Sequence, residues 1–316
     1  MTGAIGVTRY EPVRAGVWNG FVANAKVGLF LFDRGYIDYH ADRFADHSLM
    51  FYDGDKLVGL LPASEHDGVV TSHGGLTFGG VLSDRRLRTG QMLQIFEALR
   101  AHLATAGRSK LVYKAVPHIY HQVPAEEDLY ALAIQGARLV RRDVSATIDL
   151  RDRPAYAKGR RWSIAKATSN GLDVAESRDF KAFMVLEEAQ LMEKFGVKPT
   201  HTGEEMELLA SRFPRNIRLF TARKSEELLG GVLVYESAMV AHAQYIGASD
   251  AGRELGALDA ILHRLLTETY AASHPYFDFG ISTEQGGRYL NAGLMENKES
   301  YGARATVHDF YELDVA

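Results

Sequence analysis

The sequence predicts an α/β (α+β) protein of two similar lobes, each a mixed, largely antiparallel sheet flanked by helices. Three observations lead to this prediction. The 316 residues suffice for two domains, and 46% of them are hydrophobic, an ordinary globular balance. Amphipathic helix patterns alternate with short strand patterns along the chain. The same order of elements recurs in both halves, so we expect domains at residues 1–150 and 151–316.

The first half reads as a strand pair, a strand, a helix and a last strand. Ser48–Ala63 has two apolar runs around an Asp-Gly-Asp turn, which is typical of a β-hairpin. We expect a glycine-rich strand over Leu76–Leu82 and another strand over Lys110–Val116. Between them, apolar residues recur at helical spacing: Met92, Ile95, Phe96, Leu99 and Leu103.

The second half repeats this order. Strand patterns cover Ile217–Glu236 as a pair, Val240–Ala248 and Tyr276–Ile281. A helix face comprises Leu258, Ile261, Leu262, Leu265 and Leu266. Tyr245 lies 167 residues after Phe78, and Phe277 lies 166 residues after Leu111. We interpret the repeat as a duplication, with chance as the alternative because such runs are common.

The segment between the halves, Gln135–Leu172, is basic. A strand-like stretch leads into Arg151, Arg153, Lys158, Arg160, Arg161 and Lys166. One interpretation is a solvated helix face, and the other is a surface for phosphates. Further helices are predicted near Phe180–Phe195 and, from a capping box of Thr202 and Glu205, through Ser211.

Composition excludes several kinds of site. The chain has no cysteine, which excludes disulfides, thiolate nucleophiles and cysteine-based zinc sites. The formal charge of −4 and a pI near 6.3 argue against a general nucleic-acid binder. Neither a signal-peptide pattern nor a long uncharged apolar stretch is visible, so we expect a cytoplasmic protein without membrane insertion.

The loop Ser249–Ala257, between a strand and a helix, is a candidate anion site. Gly252 and Gly256 would let backbone N–H groups approach a ligand, and the helix N-terminus adds unpaired donors and a positive dipole end. Arg253 would add a charge-assisted contact. An ordinary β–α turn is the alternative. The first-half equivalent, Ser83–Gln91, is interpreted either as a degenerate loop or as a site for a nucleotide diphosphate.

Candidates for a general base are four histidines and one carboxylate: His73, His118, His201, His242 and Glu284. A single histidine on a strand is often only a hydrogen-bonded structural residue, which is the alternative for each. His118 and His121 lack a third ligand at useful spacing, so no metal site is predicted.

Unlike polar groups crowd the segment that follows the last predicted strand. They are Asp278, Ser282, Thr283, Glu284, Arg288, Tyr289, Asn291, Lys298, Glu299, Tyr301 and Arg304. Loops beyond strand C-termini commonly bind ligands in α/β proteins, so we expect function here, with a polar surface loop as the alternative.

The order of strand, glycine-containing loop, amphipathic helix and strand resembles the core of the GNAT acyltransferases, and the tandem arrangement resembles their FemABX-like, double-GNAT branch. Six phrases of the sequence resemble one subgroup of that branch. The phrases are IDYHADRF (Ile37–Phe44), SHGGLTFGG (Ser72–Gly80), YKAVPHIYHQVPAEEDLYAL (Tyr113–Leu132), KPTHT (Lys198–Thr202), VAHAQYIGAS (Val240–Ser249) and DFGISTEQGGRYLNAGLMENKESYGAR (Asp278–Arg304). The likeness runs from about Phe32 to Leu313. It is specific for a subgroup that is found with surface-polysaccharide genes and includes N-acyltransferases of nucleotide-linked amino sugars.

The resemblance implies acyl-CoA, acetyl or 3-hydroxyacyl, as co-substrate and the amine of a dTDP-linked 3-amino-3,6-dideoxyhexose as acceptor, for O-antigen or another surface polysaccharide. CoA contacts are expected from Gly252, Arg253, Gly256, Ala257 and Tyr301. Substrate contacts are expected from Tyr39, His40, Arg43, Lys114, His121, Arg288, Tyr289, Asn291 and Lys298. The sugar is expected in a cleft between the lobes, and a homodimer is one arrangement we consider.

Two other hypotheses stay open. A FemX-like aminoacyltransferase using charged tRNA would have a basic groove and no affinity for CoA, and the overall acidity of the chain weighs against it. A non-catalytic binding module would bind ligand without releasing thiol.

Overall fold

The computed structural model describes residues 4–315, apart from the side chain of Phe195. The chain forms two compact units. Unit 1 holds the chain up to Asp143, Gln285–Tyr289 and the tail from Val307, and unit 2 holds Val144–Glu284 and Leu290–Thr306. The division into domains at residues 150 and 151 stays a prediction.

The elements that begin in unit 1 are strands and helices of very unequal length. In chain order they are β1 (Ile5–Arg9), α1 (Ala15–Asn24), α2 (Arg34–Ile37), β2 (Ala45–Asp46), β3 (Leu49–Asp53), β4 (Lys56–Leu61), β5 (Ser64–His66), β6 (Val69–Thr71), β7 (Leu82–Ser83), α3 (Thr89–Thr105), β8 (Lys110–Lys114), α4 (Glu127–Ile134) and β9 (Arg138–Asp149).

The remaining elements follow in the second half of the chain. They are α5 (Lys158–Ser169), β10 (Asp173–Ser177), α6 (Phe180–Phe195), α7 (Gly203–Arg212), β11 (Ile217–Lys224), β12 (Glu227–Glu236), β13 (Val240–Ala248), α8 (Asp250–Leu255), α9 (Ala257–Arg264), β14 (Tyr276–Ile281), β15 (Thr283–Glu284), β16 (Tyr289–Leu290), α10 (Ala292–Glu299) and β17 (Arg304–Asp314). A π-helical turn, Leu265–Thr269, continues α9.

Unit 1 contains an antiparallel sheet of order β1-β3-β4-β7 and a second run of strands in the order β17-β8-β6-β5-β2. The predicted hairpin is confirmed as β3 and β4, and the predicted helix as α3. The five apolar residues of α3 are all buried in the core of this unit, as their spacing predicts.

Unit 2 has the strand order β10-β11-β12-β13-β14-β9. All of its pairs are antiparallel except β13 with β14, which run parallel because α8 and α9 form the crossover between them. Ile261 and Leu262 of α9 pack into the core against the sheet. A Cβ on Gly231 of β12 would lie 2.6 Å from the Phe183 ring, so α6 also packs closely on this sheet.

Two expectations about local structure were wrong. Leu76–Leu82 is irregular, and only Leu82 and Ser83 form a strand. A Cβ on Gly79 would lie 2.3 Å from the Ser72 carbonyl oxygen, and Gly80 has a φ of +108°, so these glycines make a tight approach and a turn. Ser249–Ala257 is also not a loop, because most of it is the short helix α8.

The capping box that the sequence predicts is present at the start of α7. The Thr202 side chain accepts from the Glu205 backbone N–H at 3.2 Å, and Glu205 accepts from the Thr202 N–H at 2.8 Å. Within residues 4–315, every helix is too short or too polar to cross a membrane.

Candidate active site

Strands β13 and β14 pair at one end and then separate. Their register joins Val240 to Tyr276, Ala241 to Phe277 and His242 to Asp278, and pairing stops there although both strands continue. Backbone groups of β13 beyond His242 therefore lack a strand partner on that side. Parallel strands that diverge in this way leave room for a ligand between them.

A pocket of about 390 Å³ lies where β13, β14 and the start of α9 meet. Its apolar lining includes Ile246 of β13 and Phe279 of β14. It is also lined by Gly252, Arg253, Gly256, Ala257, Lys298 and Tyr301, which the sequence analysis singled out, and by Arg160, Lys194 and Asp259. The volume lies within the usual range for small-molecule sites.

The helix N-terminus at this pocket is built by close packing. The Ser249 hydroxyl accepts the Gly252 N–H at 3.1 Å and caps α8. A Cβ on Gly252 would lie 1.9 Å from the Leu229 carbonyl oxygen, so only glycine lets α8 lie against β12. Gly256, with a φ of +78°, ends α8 and leads directly into α9. The first-turn N–H groups of α9 consequently start at the pocket wall, where an anion is favoured.

Four cationic side chains line the pocket: Arg160, Lys194, Arg253 and Lys298. Arg160 pairs with Asp259, which also accepts from the Tyr301 hydroxyl at 2.7 Å. Arg253 pairs with Asp250 and donates to the Ala248 carbonyl oxygen at 2.9 Å. The pocket lining thus carries four positive groups against one carboxylate, which favours an anionic ligand.

Lys298 has a different environment from the other three. Its Nζ donates to the carbonyl oxygens of Gly280 and Ile281 at 2.8 and 2.9 Å and to the Ser282 hydroxyl at 2.9 Å. Burial lowers the pKa of Lys298 to about 8. Lys298 therefore holds the C-terminal end of β14 in place while it borders the pocket.

A histidine–carboxylate pair marks the point where β13 and β14 separate. His242 Nδ1 lies 2.7 Å from Oδ2 of Asp278, which is fully buried. The other carboxylate oxygen accepts from the Ser145 and Thr147 hydroxyls at 2.6 and 2.8 Å. Because Nδ1 faces an acceptor, the neutral ring carries its proton there and keeps the lone pair on Nε2. That tautomer is the one a general base requires.

A β-bulge in β13 decides which residues share a face with His242. Val234 and Leu233 of β12 oppose Ala243 and Tyr245, so Gln244 is the extra residue. Ala243 lies in the core under α9, and Ile246 packs against that same core. The side chains of His242 and Tyr245 therefore share the opposite face of the strand.

His201, another predicted base, lies on that face. Its Nδ1 is 2.7 Å from the Tyr245 hydroxyl, and both residues are buried. Burial raises the pKa of Tyr245. His201, which precedes α7, thus contacts the face of β13 that also carries His242.

The predicted residues after β14 have partners among themselves. Exposed Glu284 accepts from Asn291 Nδ2 at 2.8 Å, and the Asn291 side chain caps α10 by accepting the Leu294 N–H at 3.0 Å. Arg288 and Tyr289 are exposed and lie in the segment assigned to unit 1. Their roles, like those of the other predicted site residues, stay predictions.

Unit 1 gathers most of the remaining predicted residues in a stack of rings. Tyr39 stacks on His40 with ring centroids 4.4 Å apart, and His40 stacks on His73 at 5.2 Å. The Arg43 guanidinium lies 5.4 Å from the centre of the Tyr39 ring. Lys114 donates to the carbonyl oxygens of His73, Gly74 and Leu76.

Burial dominates the protonation of this cluster. His73 is 2% exposed, and burial lowers its pKa to about 3, so its ring is neutral at pH 7. Burial also lowers the pKa of Lys114, to about 8, and that of His121, whose Nε2 lies 3.1 Å from the Val116 carbonyl oxygen. His118 is exposed. A Cβ on Gly75 would lie 2.8 Å from His40 Nε2, so the stack is tightly packed.

The sequence did not predict three features of unit 2: the pairing of Asp278 with His242, the bulge at Gln244, and the burial of Glu187 on α6. Asp278 was noted only as one of many polar residues. Regular alternation in VAHAQYIGA gives no sign of a bulge, and Glu187 lies beside Glu188 in an ordinary helical pattern.

The chain is similar to known proteins in part of its sequence and in its fold. Residues 157–289 match the family of acetyltransferase (GNAT) domains. No curated protein matches the sequence significantly. Among solved structures, FemX is similar with a TM-score of 0.69 at 9% identity, over 98% of this chain and 97% of that one.

Two further structures are similar over nearly their whole length. L-PGS from Bacillus licheniformis has a TM-score of 0.63 at 13% identity, over 97% of this chain and 93% of that one. The C-terminal domain of a lysylphosphatidylglycerol synthetase from Agrobacterium fabrum has a TM-score of 0.60 at 12% identity, over 96% and 92%. At such identities the likeness shows the fold alone, and it bears out the predicted fold class of mixed, largely antiparallel sheets flanked by helices.

Proposed function

We propose that this chain, of which residues 157–289 match the family of acetyltransferase (GNAT) domains, transfers an acyl group from acyl-CoA to the amine of a nucleotide-linked amino sugar. The observation that carries the first half of this proposal is the cationic pocket at the start of α9, which opens where β13 and β14 separate. GNAT domains in general use acyl-CoA as co-substrate.

CoA would bind along this pocket. Its pyrophosphate would lie at the first turn of α9, near Gly256 and Ala257, where the helix dipole and the pocket cations favour negative charge. Its thioester arm would pass between the separated strands, beside Ile246 and Phe279. Backbone N–H groups of β13 that have no partner in β14 would stabilise the oxyanion of the tetrahedral intermediate.

His242 would act as the general base. The acceptor enters as an ammonium and gives one proton to Nε2, and the neutral amine then attacks the thioester carbonyl. A C–N bond forms, the C–S bond breaks, and the second nitrogen-bound proton ends on the CoA sulfur. Asp278 acts through His242, because it fixes the tautomer and stabilises the imidazolium.

The acceptor in this proposal is a dTDP-linked 3-amino-3,6-dideoxyhexose, and the acyl group is acetyl or 3-hydroxybutanoyl. Both follow from the resemblance to the amino-sugar N-acyltransferases. A FemX-like aminoacyltransferase is the second candidate, because the fold matches FemX over 98% of the chain.

One experiment distinguishes the candidates. The protein is incubated with acetyl-CoA or 3-hydroxybutanoyl-CoA and a panel of dTDP- and UDP-amino sugars, and free thiol is followed. We expect thiol release with at least one amino sugar. If the protein releases no thiol, shows no measurable CoA binding and instead consumes an aminoacyl-tRNA, the second proposal replaces the first.

A further inference from the structure

Glu187 of α6 has a buried carboxylate, one oxygen of which accepts no hydrogen bond from the described residues. The residue is 6% exposed, and its Oε2 has no hydrogen-bond partner among the described residues. An ionised carboxylate in such a place is costly unless a positive or hydrogen-donating group meets it. Burial raises the pKa of Glu187 to about 7, which reflects the missing partner.

The surroundings make room for this carboxylate and do not satisfy it. Gly247 of β13 has no side chain, and a Cβ there would lie 2.2 Å from Glu187 Oε2. The amide of Gln190, one turn further along α6, donates to the Ala248 carbonyl oxygen instead. The carboxylate oxygen therefore lies against bare backbone of the same strand that carries His242.

The neighbouring groups connect Glu187 to the candidate active site. Lys194 exerts the largest charge effect on the Glu187 carboxyl, and Lys194 also lines the pocket assigned to CoA. The negative charge of Glu187 helps to raise the pKa of Tyr245, whose hydroxyl is within hydrogen-bond distance of His201 Nδ1. Even with this charge nearby, Glu187 Oε2 has no hydrogen-bond partner among the described residues.

We propose that Glu187 binds the ammonium group of the acceptor and thereby selects amines over hydroxyl acceptors. The inference rests on the proposed acyl transfer and specifies the acceptor class at the same site. An ammonium brings a positive charge and three donors to a carboxylate that has an oxygen to spare. A hydroxyl brings one donor and no charge, so it leaves the buried carboxylate uncompensated.

Amine binding should depend on pH in a defined direction. The titratable groups facing Glu187 are Lys194 on its own helix, Tyr245 on β13, and His201, which precedes α7 and is bonded to Tyr245. Below pH 7 the Glu187 carboxyl is protonated in the free protein, and binding an ammonium must displace that proton. Affinity for the amine should therefore rise as pH increases from 6 to 8.

The test uses the full chain, the variant Glu187→Gln and two nucleotides, dTDP-3-amino-3,6-dideoxygalactose and its hydroxyl analogue dTDP-6-deoxygalactose. Calorimetry at pH 8 should show that the wild type prefers the amine. Glu187→Gln should lose ten-fold or more in affinity for the amine and little for the hydroxyl analogue. Glu193→Gln, at an exposed position of the same helix, is the matched control and should behave as the wild type.

A second variant checks the geometry. Gly247→Ala keeps every charge but places a methyl group where Oε2 lies, so the carboxylate must turn away. It should fold and bind acetyl-CoA normally, yet lose the preference for the amine. Melting temperature and acetyl-CoA affinity of both variants establish that they are folded.

The outcomes separate this inference from the proposed function. If the wild type binds both nucleotides equally, or is matched by Glu187→Gln, the ammonium site alone is overturned; if it binds neither nucleotide, the dTDP-linked acceptor of the proposed function is wrong as well. If the wild type prefers the amine through Glu187 but releases no thiol from acetyl-CoA or 3-hydroxybutanoyl-CoA, the acyl transfer is wrong while the ammonium site stands.

Discussion

At the scale of single residues, the most informative arrangement is the imidazole of His242 against the buried carboxylate of Asp278. Besides His242, the Ser145 and Thr147 hydroxyls and the Gly280 N–H donate to that carboxylate. So many donors keep the carboxylate oriented, and the ring orientation follows from it. Catalysis by this pair depends on orientation as much as on basicity.

We expect His242→Asn to lower the rate of thiol release by roughly 10²–10⁴-fold, the usual contribution of a general base. Asp278→Asn should lower it similarly, since an amide can hold the wrong tautomer. Stopped-flow thiol detection at saturating acetyl-CoA measures this, and CoA affinity should not change. His66→Asn is the control, because the His66 side chain is 91% exposed. Full activity of His242→Asn would remove histidine from the mechanism.

Glu187 should also affect how stability depends on pH. Its folded-state pKa, about 7, is raised above the ordinary 4.5, so the folded protein holds this proton more tightly than the unfolded chain. The contribution of this proton to the free energy of unfolding is complete below pH 4.5 and is lost as pH rises to 7. It amounts to at most about 3 kcal/mol. Urea unfolding of Glu187→Gln between pH 4.5 and 8 should lack that contribution, whereas Glu193→Gln should keep it.

Sequence patterns identified the histidines but not their partners. His201 and His242 were among five candidates, and nothing local separates them from His73, which burial leaves neutral. The decisive facts are long-range: Asp278 lies 36 residues from His242, and Gly247 lies 60 residues from Glu187. Burial and pairing of such groups depend on which strands become neighbours.

At the scale of elements, the pocket depends on how closely α8 can lie on β12. We expect Gly252→Ala to weaken both stability and CoA binding. Its Cβ would clash with the Leu229 carbonyl oxygen, and a backbone atom of a paired strand can be displaced only at a large cost in free energy. A loss of roughly 2 kcal/mol is expected, as for other overpacked sites. Urea denaturation and calorimetry with acetyl-CoA measure the two effects.

Gly293→Ala provides the comparison. Gly293 lies in α10, and a Cβ there would meet nothing within 4 Å. The substitution should leave CoA affinity unchanged and stabilise the protein slightly, since alanine favours the helix by up to about 1 kcal/mol. Equal losses in both variants would show that Gly252 has no special packing role.

Elements with strong periodicity were predicted well. The capping box of α7, the apolar faces of α3 and α9, and the bounds of β13 and β14 depend on residues close in sequence. The prediction of a strand over Leu76–Leu82 was wrong because the apolar residues of this segment are buried although its backbone is irregular. Helix α8 was missed because its six residues, with one glycine, give no helical period.

At the scale of the whole molecule, the tail from Val307 returns to unit 1. Phe310–Asp314 of β17 pairs antiparallel with Lys110–Lys114 of β8, and Leu313 lies in the core of that unit. No local pattern predicts this, because a strand does not specify its partner in its own sequence. The repeated order of elements predicted two similar halves but not that β17 pairs with β8 of unit 1.

Residues 1–150 alone should therefore fold poorly. Without β17, one edge of β8 loses its hydrogen-bond partner, and the core loses Leu313 and Val315. Circular dichroism should show a broad, weak thermal transition for this fragment. A fragment in which residues 307–316 are joined through a flexible linker after residue 143 should unfold cooperatively. A sharp transition for residues 1–150 alone would contradict this prediction.

The absent side chain at Gly247 bears on how acceptor preference changes during evolution. A relative that shares the ionisable residues at 187, 242 and 278 can still differ at this neutral position. Alanine there would turn the carboxylate away and alter the acceptor without changing any ionisable group. Grouping related enzymes by their charged residues alone would merge chains with different acceptors, so position 247 is the one to compare first.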